Sequence, residues 1–139
     1  MAVREIIKDP SILTNKSEPF NLEHDMPILM DMLDTANAHK DNCAGLAAIQ
    51  IGEPKCVILV RNGDKFIPFI NPIIIKMGNK TYVTEEGCLS LDGKRSVKRH
   101  ASVMVAWTDL KGKRRVQTFT GYIAQIIQHE VDHLNGVLI

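Results

Sequence analysis

His129 and His133 stand four residues apart in QHEVDHLNGV (residues 128–137), with Glu130 beside the first. On an α-helix, positions i and i+4 lie one turn apart on the same face, so both imidazoles can aim at one ion. Glu130 is displaced sideways, close enough to reach a metal-bound water without being a ligand. A catalytic site for a zinc-like ion takes three protein ligands and keeps a fourth position open, so a third ligand is needed. Cys88, in EEGCLS (residues 85–90), is the candidate. The glycine before it lets the chain turn sharply at a strand end, and thiolate is a strong, soft ligand for Zn or Fe(II). Each motif alone has a plainer reading. Two helical histidines can be satisfied by backbone or water, and a free cysteine is commonly a buried apolar residue.

The histidines need a helix to carry them. TGYIAQIIQHEVDHLNG supplies one, with Thr120 as N-cap and Asn135-Gly136 as the stop. Tyr122, Ile126, His129 and His133 share a face, while Ile123, Ile127, Val131 and Leu134 cover much of the rest, so the helix belongs at the centre of the fold. Before it run short β-like segments, KCVILVR, KFIPFIN, PIIIKMG, TYVTEEG, ASVMVAWTD and RRVQTFT, separated by Gly, Pro, Asn and Asp. KMGNK and TDLKGKRR read as turns. HDMPILMDMLDTANAH, after an extended N-terminal arm, reads as a second helix, with Asp25 as N-cap and Pro27 in the first turn. Its Leu29, Met32, Leu33 and Ala36 form a core stripe. His24, His39 and His100 lack partners in the sequence and read as surface residues. The expected fold is α+β: antiparallel strands around a central C-terminal helix carrying HExxH, plus an N-terminal helix.

At 139 residues, with no repeat or linker, the chain reads as a single domain, 1–139, long enough to bury its own core without a metal. Its 45% hydrophobic content, 24% charged content and net charge of +1 give no signal for direct nucleic-acid binding. Neither a signal peptide nor the ~18 apolar residues of a membrane span are present. Three cysteines without a close pair suit a reducing compartment. The expected location is the cytoplasm.

Three blocks now stand in order: AGLAAIQ (44–50), EGCLS (86–90) and QHEVDHLNGV. Together they resemble the peptide deformylases, over nearly the whole chain from AVREIIKDP onward, in a short form without the C-terminal helix of many members. The resemblance implies that Cys88, His129 and His133 bind one divalent ion, Fe(II) in the cell with Zn, Ni or Co able to substitute. It implies Glu130 as general acid/base, and Gln50 with the backbone N–H of Leu89 as oxyanion donors. Gly45 would line the edge where the substrate strand docks, and Arg99 would help hold the substrate backbone. Tyr122 and Ile126 fall on the metal's side of the cavity, where an apolar pocket would take the thioether of an N-terminal methionine. Gln125 departs from the aliphatic residue or arginine usual in the family.

The implied activity is a metal-dependent amidohydrolase of protein biosynthesis that removes formyl, as formate, from formylmethionine at the N-terminus of newly made chains. The chemistry is coherent on its own terms, because a divalent ion lowers the pKa of bound water to about 7. Glu130 can take the proton and return it to the departing amine, while Gln50 offers an amide to the oxyanion. A zincin-like endopeptidase shares HExxH but needs a downstream histidine or glutamate, and the six residues after His133 supply none. A third reading is a weakened deformylase-like protein that keeps the metal and binds formylated peptides. Its basis is Cys43, where the family has glycine. A left-handed backbone there would cost cysteine roughly 1–2 kcal/mol, and an extended one would place the thiol in the cleft, so lower turnover is expected. The opposing possibility is a thiol pointing into the core.

Overall fold

The computed structural model describes residues 2–139. Helices α1 (Pro10–Leu13), α2 (Met26–Ala38) and α3 (Gly121–Leu134) accompany seven strands: β1 (Gly45–Ala47), β2 (Val57–Asn62), β3 (Lys65–Met77), β4 (Thr81–Glu86), β5 (Arg95–His100), β6 (Ser102–Thr108) and β7 (Arg114–Thr120). An antiparallel sheet of order β1-β2-β3-β6-β7 forms the body, and β4 and β5 form a separate antiparallel hairpin. This is the expected α+β architecture, with α3 at its centre.

The apolar run in β2 explains its place. Val57 and Leu59 pack with Leu29, Met32 and Ala36 of α2, while Ile58 and Val60 pack with Ala124, Ile126 and Ile127 of α3. A strand covered on both faces needs no polar alternation, and each aliphatic side chain so buried contributes about 1.5–3 kcal/mol. Phe69, Trp107 and Phe119 close the α3 side, with ring centroids 4.7 to 5.7 Å apart.

Three local expectations are corrected, and one strand is added that the sequence did not disclose. KFIPFIN and PIIIKMG form one strand, β3, which crosses Asn71 at φ 49° and shifts register against β6. The Asn71 amide makes this tolerable: it accepts from Phe20 N at 2.8 Å and donates to Phe20 O at 3.0 Å, tying the N-terminal arm to the sheet. That arm is not wholly extended, since Asp9 caps the single turn of α1 by accepting from Ser11 N at 2.9 Å. RSVKRH is a strand, β5, that its charges conceal. His39 and His100 are half-buried rather than superficial, and His100 Nδ1 lies 2.8 Å from Gly78 O. The hairpin's alternation turns Tyr82, Thr84 and Glu86 of β4, with their partners Arg99, Val97 and Arg95 of β5, to one face. Gln128 of α3 fastens β5 by accepting from His100 N at 2.8 Å and donating to His100 O at 2.9 Å.

Candidate metal centre and its cleft

Cys88 Sγ and one nitrogen each of His129 and His133 lie within 4.8 Å of one another. The two Nε2 atoms are 3.2 Å apart, one helical turn bringing them together. His133 Nδ1 and Glu130 Oε1 are buried without hydrogen-bond partners, and such orphaned polar atoms are costly unless another group satisfies them. A soft thiolate and two imidazoles are a donor set for a divalent transition metal, so the residues fit the ion that the sequence implies.

Behind these three atoms lies a layer of charge. Glu86 Oε1 accepts from His129 Nδ1 at 2.7 Å, leaving Nε2 to face the site. The same carboxylate receives Arg99 through Nη2 at 2.6 Å and Nε at 3.0 Å, and Arg99 Nη1 reaches Asp132 at 2.6 Å. Burial pushes the Glu86 carboxyl up, but bonds from His129 and Arg99 outweigh it and bring it down to about 2. Burial likewise opposes charge on His129, yet Cys88 and Glu86 raise it to about 10. His133 is lowered to about 3 by burial and the charges of His129, Arg99 and Arg95, and is neutral. Burial would raise the Cys88 thiol; His129 and the backbone N–H groups of Leu91 and Ser90 bring it below its ordinary value. Its sulfur also lies 3.0 Å from Ile139 O, a contact only a thiol can donate. The donors converging on Cys88 favour the thiolate instead.

Glu130, within the same helix turn, is pushed up to about 7 by burial. That value suits a group exchanging a proton near neutral pH. Its position explains Gly45: a Cβ at position 45 would stand 2.8 Å from Glu130 Oε2, Ile126 Cγ2 and Leu59 O. Only glycine lets the β1 backbone approach the carboxylate so closely. A cleft of about 700 Å³ opens from here between β1, the Cys88 segment and α3, lined among others by Gly45, Leu89, Gln125, Ile126 and Tyr122. Tyr122 is 64% exposed and sits at the mouth, whereas Ile126 is buried beside Glu130. Gln50 is buried, its Oε1 accepting from Ala47 N at 3.0 Å and its Nε2 donating to Ser90 Oγ at 3.1 Å, which directs the amide toward the Cys88 segment.

Arg99 does not lie where the sequence suggested. Its guanidinium is buried and committed to Glu86 and Asp132, so it supports His129 and does not hold substrate. Glu86, Asp132 and Ser90 are the functional neighbours that the sequence reading missed; an acidic residue immediately before Gly87-Cys88 was the available signal. Cys43 has an extended backbone, φ −120°, ψ 109°, which removes the left-handed possibility. Its side chain is buried among Leu46, Met32 and Leu59, with Sγ 3.2 Å from Gly45 O, and burial pushes the thiol up to about 12.

The family model described as Polypeptide deformylase matches residues 3–139. A peptide deformylase of Clostridium beijerinckii is 42% identical over 137 residues, covering 99% of both chains. Among solved structures, an actinonin-bound class I type b peptide deformylase from Acinetobacter baumannii superposes with a TM-score of 0.89 at 30% identity, covering 99% of this chain and 96% of that one. The Met-Ala-Ser-bound form of that enzyme also gives 0.89 at 30% identity, covering 99% and 97%.

Proposed function

The chain belongs to the peptide deformylase family, and from that premise we propose that it hydrolyses the formamide of N-formylmethionine on newly made chains in the cytoplasm, acting as one catalytic domain. The observation that carries the reading is the buried Glu130 carboxyl, held against the Gly45 backbone beside three converging ligand atoms. Cys88, His129 and His133 hold the metal, Fe(II) in the cell, with Zn, Ni or Co as substitutes. When bound, a divalent ion supplies Lewis acidity and makes water a competent nucleophile near neutral pH.

The remaining work falls to the chain's own residues. β1 is an edge strand, so an extended peptide can pair with its free side at Gly45. This brings the peptide N-terminus toward Glu130, with its first side chain along Ile126. Glu130 takes the proton from water and returns it to the departing amine nitrogen, releasing formate. Gln50 Nε2 has a second hydrogen beyond the one given to Ser90; with the Leu89 backbone N–H it stabilises the developing oxyanion. Glu86, fixed by Arg99, holds the His129 ring and its tautomer. The Met-Ala-Ser peptide bound by the Acinetobacter enzyme supports an N-terminal methionine as the recognised group.

The binding-only alternative is the weaker reading: Cys43 borders the cleft, but its thiol is buried, packing with Met32, Leu46 and Leu59, and the Glu130 carboxyl that a binding-only protein does not need is in place. The test is anaerobic purification, metal analysis and formate release from formyl-Met-Ala-Ser. Glu130→Ala should retain metal and lose at least about 10²-fold in kcat/KM. A metal-loaded wild-type protein that releases no formate would overturn the proposal.

A further inference from the structure

Gln125 faces the cleft one helical turn before His129 and one residue before Ile126. Its side chain is tied down: Tyr82 of β4 donates its phenolic O–H to Gln125 Oε1 at 3.1 Å. Burial, helped by the Glu86 charge, raises the Tyr82 phenol above its ordinary value, so it keeps the proton that it donates. The structure thus sets the carbonyl end of the amide against the phenol. With the carbonyl end taken, the two N–H donors of Nε2 are left to the cleft.

The strand alternation that aims Glu86 at His129 also aims Tyr82 at Gln125, four residues earlier on both β4 and α3. Two parallel props therefore run from the hairpin to the helix. One holds the ring of His129; the other holds a polar amide on the wall beside the first substrate side chain. A half-buried donor facing only a thioether is poorly paired. Methionine sulfoxide keeps methionine's length and adds an acceptor oxygen on the sulfur. In a purely apolar pocket that oxygen would be stranded, whereas beside Gln125 it has a partner.

We propose, resting on the deformylase reading above, that Gln125 held by Tyr82 is a specificity-determining pair that admits formyl-methionine sulfoxide as a substrate alongside formyl-methionine. The measurement is the ratio of kcat/KM for formyl-Met-Ala-Ser to that for its sulfoxide counterpart, on the metal-loaded full chain. The same ratio is read without turnover from the dissociation constants of Met-Ala-Ser and its sulfoxide. Wild type should discriminate against the sulfoxide by less than about tenfold. Gln125→Met, of equal length but without donors, should raise that discrimination about three- to tenfold, the weight of one neutral hydrogen bond. Tyr82→Phe should raise it about twofold, since the amide remains but is free to turn. Metal content should be unchanged in both variants. Equal ratios in all three proteins, or a Gln125→Met loss shared equally by both peptides, overturn the proposal. Formate from formyl-Met-Ala-Ser but none from the sulfoxide also overturns the proposal; absence of formate from both peptides overturns the deformylase reading instead, and the binding ratio still decides the role of Gln125.

Discussion

On the β1 side of the cleft the wall is backbone and aliphatic carbon, with Gly45 backed by Leu59 and the two-faced strand β2. On the hairpin side it is backed by charge, with Glu86 between Arg99 and His129 and Arg99 reaching on to Asp132. The first wall is held by surface removed from water, which is non-directional and insensitive to proton activity. The second is held by directional bonds, each of which leaves a buried charge when broken. The division matches the work: the apolar wall sets how near the peptide comes, and the charged wall sets how the ligands point. Helix α3 belongs to both.

The largest effect that separates the two walls should come from Arg99→Ala. It leaves Glu86 buried beside His129 without its counter-charge, and should cost about 3–5 kcal/mol in denaturant unfolding. Metal affinity should weaken about 10- to 100-fold with it, as supporting residues of this kind typically contribute. Unchanged metal affinity in folded protein would mean that the charged layer does not orient His129. Next, Leu59→Ala on the opposite wall should cost about 3 kcal/mol, yet metal content per folded molecule should stay at the wild-type level. If metal is lost as well, the two walls are not separable.

Acid titration offers a smaller contrast. Asp31, on the outer helix α2, is held below the ordinary carboxylate range by Arg4, whose Nε lies 2.7 Å away, and by the Ala2 N–H. A lowered carboxyl contributes stability that is fully present above its unfolded pKa and is lost as pH falls through the folded one. Melting temperature should therefore fall on acidification below the ordinary carboxylate range, and Asp31→Asn should flatten that fall while lowering stability at neutral pH. An identical slope in the variant would remove Asp31 from the account. The smallest effect belongs to Cys43→Gly. With the thiol in the core and φ at −120°, glycine should cost about 1 kcal/mol or less and bring no gain in kcat/KM for formyl-Met-Ala-Ser. A marked gain would restore the obstruction that the sequence suggested.

The same division decides what the sequence disclosed. β2 and α3 were legible because aliphatic runs and helical spacing carry their own periodicity, and the two histidines come with the helix. β5 is not among the strands the sequence discloses, because the charges of RSVKRH hide its alternation: Lys98 stays exposed, while Glu86 and Asp132 across the fold pair Arg99 inward and Gln128 bonds the His100 backbone. The resemblance puts Arg99 on the substrate backbone, and one-dimensional order cannot reveal that this cation is already paired with Glu86 and Asp132. The single strand across Asn71 was hidden because its positive φ is repaid by the backbone of Phe20, 51 residues away. Cys43 was ambiguous in sequence because a small thiol fits a cleft and a core equally well.

β1 is only three residues long and lies at one end of its sheet. Unpaired strand edges invite addition by other chains, and brevity is one way proteins limit that hazard. Three residues offer enough rungs to seat the tip of a single flexible chain and too few to template a ladder with a second copy of the protein. Selection for loose ends over folded surfaces thus begins before any side chain is read, in the length of exposed backbone alone. Lengthening the strand would trade turnover for stickiness.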